Sequence, residues 1–146
     1  MIQIGTYLRQ ILFFSLLFSS VISFAQIPEF PLWIKDTVFI DPTYAKEGKG
    51  TVLEPYNSLS FDWRNNTAYL FKRGTDLYNR GRIDLQVDYC YIGSYGSGTK
   101  AILSIDNRNR GIYFQGNSNM LQNLNIFAVD TSSSNVVAFN RDDPSF

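Results

Sequence analysis

Histidine is absent from all 146 residues. That removes Ser-His and Cys-His nucleophile pairs, imidazole-bound zinc and any imidazole acid or base, so chemistry in this chain falls to Asp, Glu, Lys, Arg or Tyr. Cysteine occurs once, at Cys90, which excludes an internal disulfide framework and leaves stability to packing. Its surroundings, Val87-Asp88-Tyr89-Cys90-Tyr91-Ile92, mark it as a small buried apolar group rather than a reactive thiol. Net charge is lacking as well: 13 Lys and Arg against 13 Asp and Glu leave no global field to draw nucleic acid or an anionic membrane. From Ile27 onward no window sustains three helical turns, and Ser58 to Trp63 is the best helical scrap, one turn or two. Gly93-Ser94-Tyr95-Gly96-Ser97-Gly98 is no phosphate loop, because neither a Gly-Lys-Ser/Thr ending nor a helix follows it.

Long apolar runs are also scarce. The one present, Ile11 to Phe24, is broken only by serines, preceded by the lone charge Arg9 and followed by Ala25. A lipid-spanning helix needs about 20 such residues where this run offers about 14, so it predicts a signal peptide over residues 1–25, cleaved after Ala25. The mature chain, Gln26 to Phe146, loses Arg9 from its basic side chains and none of its acidic ones, so it stays close to neutral. It is expected outside the cytoplasm, secreted or at the cell surface, with no membrane span after cleavage.

What remains is rich in strand signals. Runs of four to six residues, heavy in Val, Ile, Tyr and Phe, each stop at Gly, Asn, Asp, Ser or Pro. They predict strands at Thr37–Ile40, Ala68–Phe71, Ile83–Val87, Tyr89–Ile92, Ala101–Ile105, Ile112–Phe114, Leu124–Val129 and Val136–Phe139. Sliding the chain against itself until Ile102 meets Ile126 also sets Ile105 on Val129, Asp106 on Asp130, Gly111 on Asn135 and Ile112 on Val136. Strand, Asp-led polar turn, Gly or Asn, strand: a repeat of this length belongs to stacked units, each of which buries its apolar face only against the next. One period before Ile102 the register meets Tyr78-Asn79-Arg80-Gly81, read as a turn, so regular stacking is expected to begin near residues 83–100. A leucine-rich repeat fits Leu121, Leu124 and Ile126 but fails one period earlier, at Ser97 and Lys100. An all-β solenoid, with two or three short strands per coil and no helix, accounts for more of the chain.

Three stretches carry a family resemblance. Gly50-Thr51-Val52-Leu53-Glu54-Pro55-Tyr56-Asn57-Ser58-Leu59, Asn66-Thr67-Ala68-Tyr69-Leu70-Phe71-Lys72-Arg73-Gly74 and Tyr95-Gly96-Ser97-Gly98-Thr99-Lys100-Ala101-Ile102-Leu103 resemble, in order and spacing, the N-terminal part of secreted right-handed parallel β-helix proteins of the pectate-lyase-like group. Gly111 to Phe114 and Leu121 to Ile126 look like one coil of such a helix. The segment before Gly50 and the helix usual after Ser58-Leu59 are both short. The resemblance implies an N-terminal cap and first coil over residues 26–82 and incomplete parallel β-helix coils over 83–146, the chain being a truncated piece of a longer stack and a monomer.

It also implies a function: an exported protein that binds or degrades polysaccharide, as a lyase or glycoside hydrolase, this chain lacking a complete active site. The alternative is a non-catalytic adhesin or structural module. Lyases of this kind often hold calcium, for which Asp106 and Asp130, stacked one strand spacing of about 5 Å apart, are the candidate ligands; the rival reading is that each Asp ends its strand and bonds its own turn. Arg108 and Arg110 are candidates for gripping an acidic sugar, or for the proton-abstracting arginine of the group, unless they merely neutralise those carboxylates. Tyr113 is the third candidate substrate contact, one of several aromatics suited to stacking on sugar if they face outward. Asn65-Asn66-Thr67 is a glycosylation sequon, relevant only in a eukaryotic secretory host.

Overall fold

The computed structural model describes residues 27–105, 110–129 and 135–139. The expected signal peptide, Asp106, Arg108 and Asp130 lie outside them. Among the described residues there is no helix, and every strand pairing is parallel. The strands are β1 (Asp36–Ile40), β2 (Thr67–Lys72), β3 (Asp76–Asn79), β4 (Ile83–Leu85), β5 (Tyr91–Tyr95), β6 (Ala101–Ile105), β7 (Arg110–Phe114), β8 (Met120–Leu121), β9 (Leu124–Ala128) and β10 (Asn135–Phe139). They fall into three sheets, ordered β1-β2-β5-β8, β3-β6-β9 and β4-β7-β10. From β2 on, the chain visits the three sheets in rotation, so each strand from β5 onward hydrogen-bonds the strand three places before it.

All the expected strands are present within a few residues, and two more, β3 and β8, lie where none was expected. The register is corrected. Ala101 pairs with Leu124 and Leu103 with Ile126, one position short of the slide that set Ile102 on Ile126, whereas Ile112 pairs with Val137, one position beyond it. An ungapped slide averages the two and fits neither. The difference matters because strand side chains alternate faces, and a slip of a single position would set outward Ile102 on inward Ile126. Pairing also starts earlier than expected: Tyr78-Asn79 is strand, with Tyr78 opposite Ser104, and β1 already pairs with β2.

Burial follows the pattern that composition dictates. β6 reads Ala-Ile-Leu-Ser-Ile and alternates buried and half-buried, the signature of one face on the core. β2 and β5 are buried on both faces, which explains the unbroken run Ala68-Tyr69-Leu70-Phe71. Their inner side chains join one core with Leu77, Leu85, Leu103, Ile105, Ile112 and Phe114. Their outer side chains, with Phe39, lie under Phe30, Trp33 and Ile34 of the segment preceding β1. Residues 58–63 are not helical; Phe61 instead stacks on Tyr69 at 5.5 Å and on Tyr56 at 5.0 Å, and Trp63 lies 4.3 Å from Tyr69.

The free edge of β1 is also occupied. Phe39 N–H donates to Gly50 O at 2.9 Å, Tyr56 N–H to Phe39 O at 2.9 Å and Asp41 N–H to Tyr56 O at 2.8 Å. A parallel edge left open would template aggregation, and the 48–56 loop removes that hazard.

One turn recurs where the chain enters the first sheet at β2, β5 and β8. Asn66, Tyr89 and Ser118 all have left-handed backbone, at φ 56°, 56° and 55°. The residue before each continues a ladder: Asp88 N–H donates to Asn65 Oδ1 at 3.0 Å, and Asn117 N–H to Asp88 Oδ1 at 2.7 Å. Asx side chains suit such a turn because their oxygens replace missing backbone acceptors. Just upstream, Gly116 is packed so closely that a Cβ would fall on the Val87 carbonyl. Gly116→Ala should therefore lower unfolding free energy by about 2 kcal/mol in urea titration, while Gly81→Ala, where a Cβ meets nothing within 4 Å, should change it by less than about 0.5 kcal/mol.

Candidate functional site

Of the site residues expected from sequence, Tyr113 is the one whose side chain is described. It sits on the outward face of β7, opposite Asp84 of β4. The Arg82 guanidinium lies 5.6 Å from its ring centroid, and Arg82 Nε is 2.8 Å from Asp84 Oδ1 and 2.9 Å from Oδ2. The protein itself thus supplies a cation to this ring, an arrangement worth about 0.5–1 kcal/mol at an exposed site. Arg110 opens β7, paired with Asn135. The strands leading toward Asp106 and Asp130 end with Ile105 opposite Ala128, one position short of the register that made the two aspartates partners. Among the described residues no three His, Cys, Asp or Glu side chains come together as a metal cluster.

Among the described residues, a close gathering of titratable groups lies elsewhere, at residues that no motif singles out. Asp41 follows β1, Lys72 ends β2 and Tyr95 ends β5; Lys72 and Tyr95 are paired in register. Asp41 is only 5% exposed. Its Oδ2 lies 2.6 Å from Lys72 Nζ, and its Oδ1 accepts from Thr43 N–H at 2.9 Å and Thr43 Oγ1 at 2.6 Å. Burial by itself pushes the carboxyl up, but the hydrogen bonds from Lys72 and Thr43, together with the ammonium charge, outweigh it and hold Asp41 below its ordinary value. Tyr95 is pushed up to about 12 by burial and then by the Asp41 charge. At neutral pH the trio is a carboxylate, an ammonium and a neutral phenol. Both carboxylate oxygens are engaged and the phenol is no base, so the arrangement locks the end of the sheet rather than moving protons. No sequence signal joins these residues, because each belongs to a different pass of the chain.

The third feature is aromatic. On the outward face of the β3-β6-β9 sheet, Tyr78 and Phe127 both stand opposite Ser104 in one cross-strand row. They are 50% and 55% exposed. Ser104 Oγ donates to Asp76 Oδ1 at 2.8 Å. On the first sheet the corresponding outward aromatics are covered, Phe30 meeting Tyr91 edge-on at 5.3 Å and Phe39 meeting Tyr95 at 5.0 Å. Cys90 is fully buried, as its neighbours implied, and burial pushes its thiol up to about 12. In the sequon, Thr67 is buried and its Oγ1 donates to Asn65 O at 3.0 Å, so it is committed to the core of the sheet.

Asp41→Asn removes the anion that Lys72 and Thr43 surround. Because the folded carboxyl titrates below its unfolded value, its stabilisation is complete above the unfolded value, about 3.9, and is lost as pH falls through the folded one. The variant should be about 1–2 kcal/mol less stable than the parent at pH 7, a gap that closes below about pH 4 when urea midpoints are compared across pH. Cys90 should react with a thiol reagent only after unfolding; labelling of the native protein at pH 8 within minutes would contradict its burial.

Comparisons with protein-family models, with curated proteins and with solved structures give no match for this chain.

Proposed function

We propose that this chain is an exported right-handed parallel β-helix that binds polysaccharide. The observation that supports it is the rotation of the chain through three parallel sheets, one strand in each per pass, with a continuous apolar interior. Such a stack builds long, flat outer faces from regularly spaced strands, a geometry matched to a polymer of repeating units rather than to a small ligand in a pocket. Among the described residues no helix is long and apolar enough to cross a membrane.

Binding is favoured over catalysis. The carboxylate, amine and phenol that gather at Asp41, Lys72 and Tyr95 are bonded to one another or held neutral, and so lack the poised acid and base that lyase or hydrolase chemistry needs. Acidic-sugar recognition by Arg108 and Arg110, and calcium at Asp106 and Asp130, belong to this reading as proposals.

A panel of soluble and insoluble polysaccharides, acidic and neutral, tests it by affinity electrophoresis and pull-down. The expected outcome is retention by at least one glycan, with no release of unsaturated uronides in the presence or absence of chelator. Retention by none would overturn the reading, and uronide release would replace a binding module with a lyase.

A further inference from the structure

We propose that the outward face of the β3-β6-β9 sheet is the glycan-binding platform and that it takes a neutral, hydroxyl-rich chain, with sugar rings seated on Tyr78 and Phe127. This rests on the polysaccharide reading above and adds the site and the class of sugar. Tyr78 and Phe127 are each one strand from Ser104, on opposite sides of it. Two strand separations put the rings about 10 Å apart, since paired strands lie about 4.8 Å from one another. That span suits two sugar rings of an extended chain laid across the strands. Large aromatic side chains half exposed on a stacked sheet keep apolar area in water until something covers them, and the C–H face of a pyranose is such a cover.

The polar groups between the rings favour hydroxyls over carboxylates. Ser104 already donates its hydroxyl hydrogen bond to Asp76, so the hydroxyl oxygen and the remaining Asp76 lone pairs are acceptors for sugar O–H groups. Asn125, exposed on the same face and opposite Ile102, supplies both a donor and an acceptor. The one charged side chain within the described strands of this face is Asp76, an anion that repels a uronate. Among the described residues, Lys100 just before β6 and Arg80 just after β3 stand beyond the strand ends. The other two sheets offer less: the first is covered by Phe30, Trp33 and Ile34, and on the third the Tyr113 ring carries Arg82.

The full chain, Y78A, F127A, the Y78A/F127A pair and an L53A control, at the exposed Leu53 of the 48–56 loop, are compared on neutral β-linked glucan and xylan and on polygalacturonate, at low and high salt. Each single variant should weaken retention on a neutral glycan about fivefold to tenfold and the pair should abolish it, with no salt dependence and with a cooperative thermal transition retained, since both side chains are half exposed. The control should bind as the parent does. If the parent binds and the double variant binds equally well, or if the control alone loses binding, the platform is overturned while the polysaccharide reading stands. Salt-sensitive binding to polygalacturonate alone overturns the neutral class. A parent that binds no glycan overturns both.

Discussion

Vertical stacking is the constraint behind every other feature of this molecule: each pass of the chain must set its inward apolar side chains on those of the pass before. The columns are continuous. Leu77 lies under Leu103 and Leu103 under Ile126; Val38, Tyr69, Ile92 and Leu121 follow one another in the first sheet; Leu85 meets Phe114 in the third. With no disulfide and no helix among the described residues, these columns and the parallel backbone ladders between them are the cohesive material. A parallel ladder cannot be closed by a hairpin, so paired strands always come from stretches well separated in the chain. Hence a local change such as a methyl group at residue 116 acts on the neighbouring pass rather than on its own.

Stacking fixes the strands but leaves the connections free to vary. Ala68 pairs with Tyr91 on the next pass and Tyr91 in turn with Met120, across a longer stretch of chain. The extra residues accumulate at turns while the recurrent left-handed positions, Asn66, Tyr89 and Ser118, keep the entry to the first sheet constant. Three unlike residues adopt one strained conformation because the Asn65, Asp88 and Asn117 ladder holds the backbone there.

The same architecture divides the surface by use. The first sheet is closed on its outer face by the segment around Phe30 and Trp33, on its edge by the 48–56 loop and at its end by Asp41 with Lys72. The second sheet keeps its outer face in solvent with two half-exposed aromatics in register. The covered aromatics of the first sheet and the half-exposed aromatics of the second thus lie on different sides of one interior.

Strand content, the lack of helix among the described residues and the burial of Cys90 were all legible in the chain, because apolar runs bounded by turn residues are local signals that need no partner. Two strands were not: β3, where Asp76-Leu77-Tyr78-Asn79 offers a single inward apolar residue, and β8, where the strand is two residues long. The register, the Asp41 and Lys72 pair and the Tyr78 and Phe127 row came only from the folded arrangement. Each depends on how many residues the intervening turns absorb, and turn length alters neither composition nor periodicity. A register one position short of the uniform slide in one sheet and one position beyond it in the next therefore stayed invisible until the strands were laid side by side.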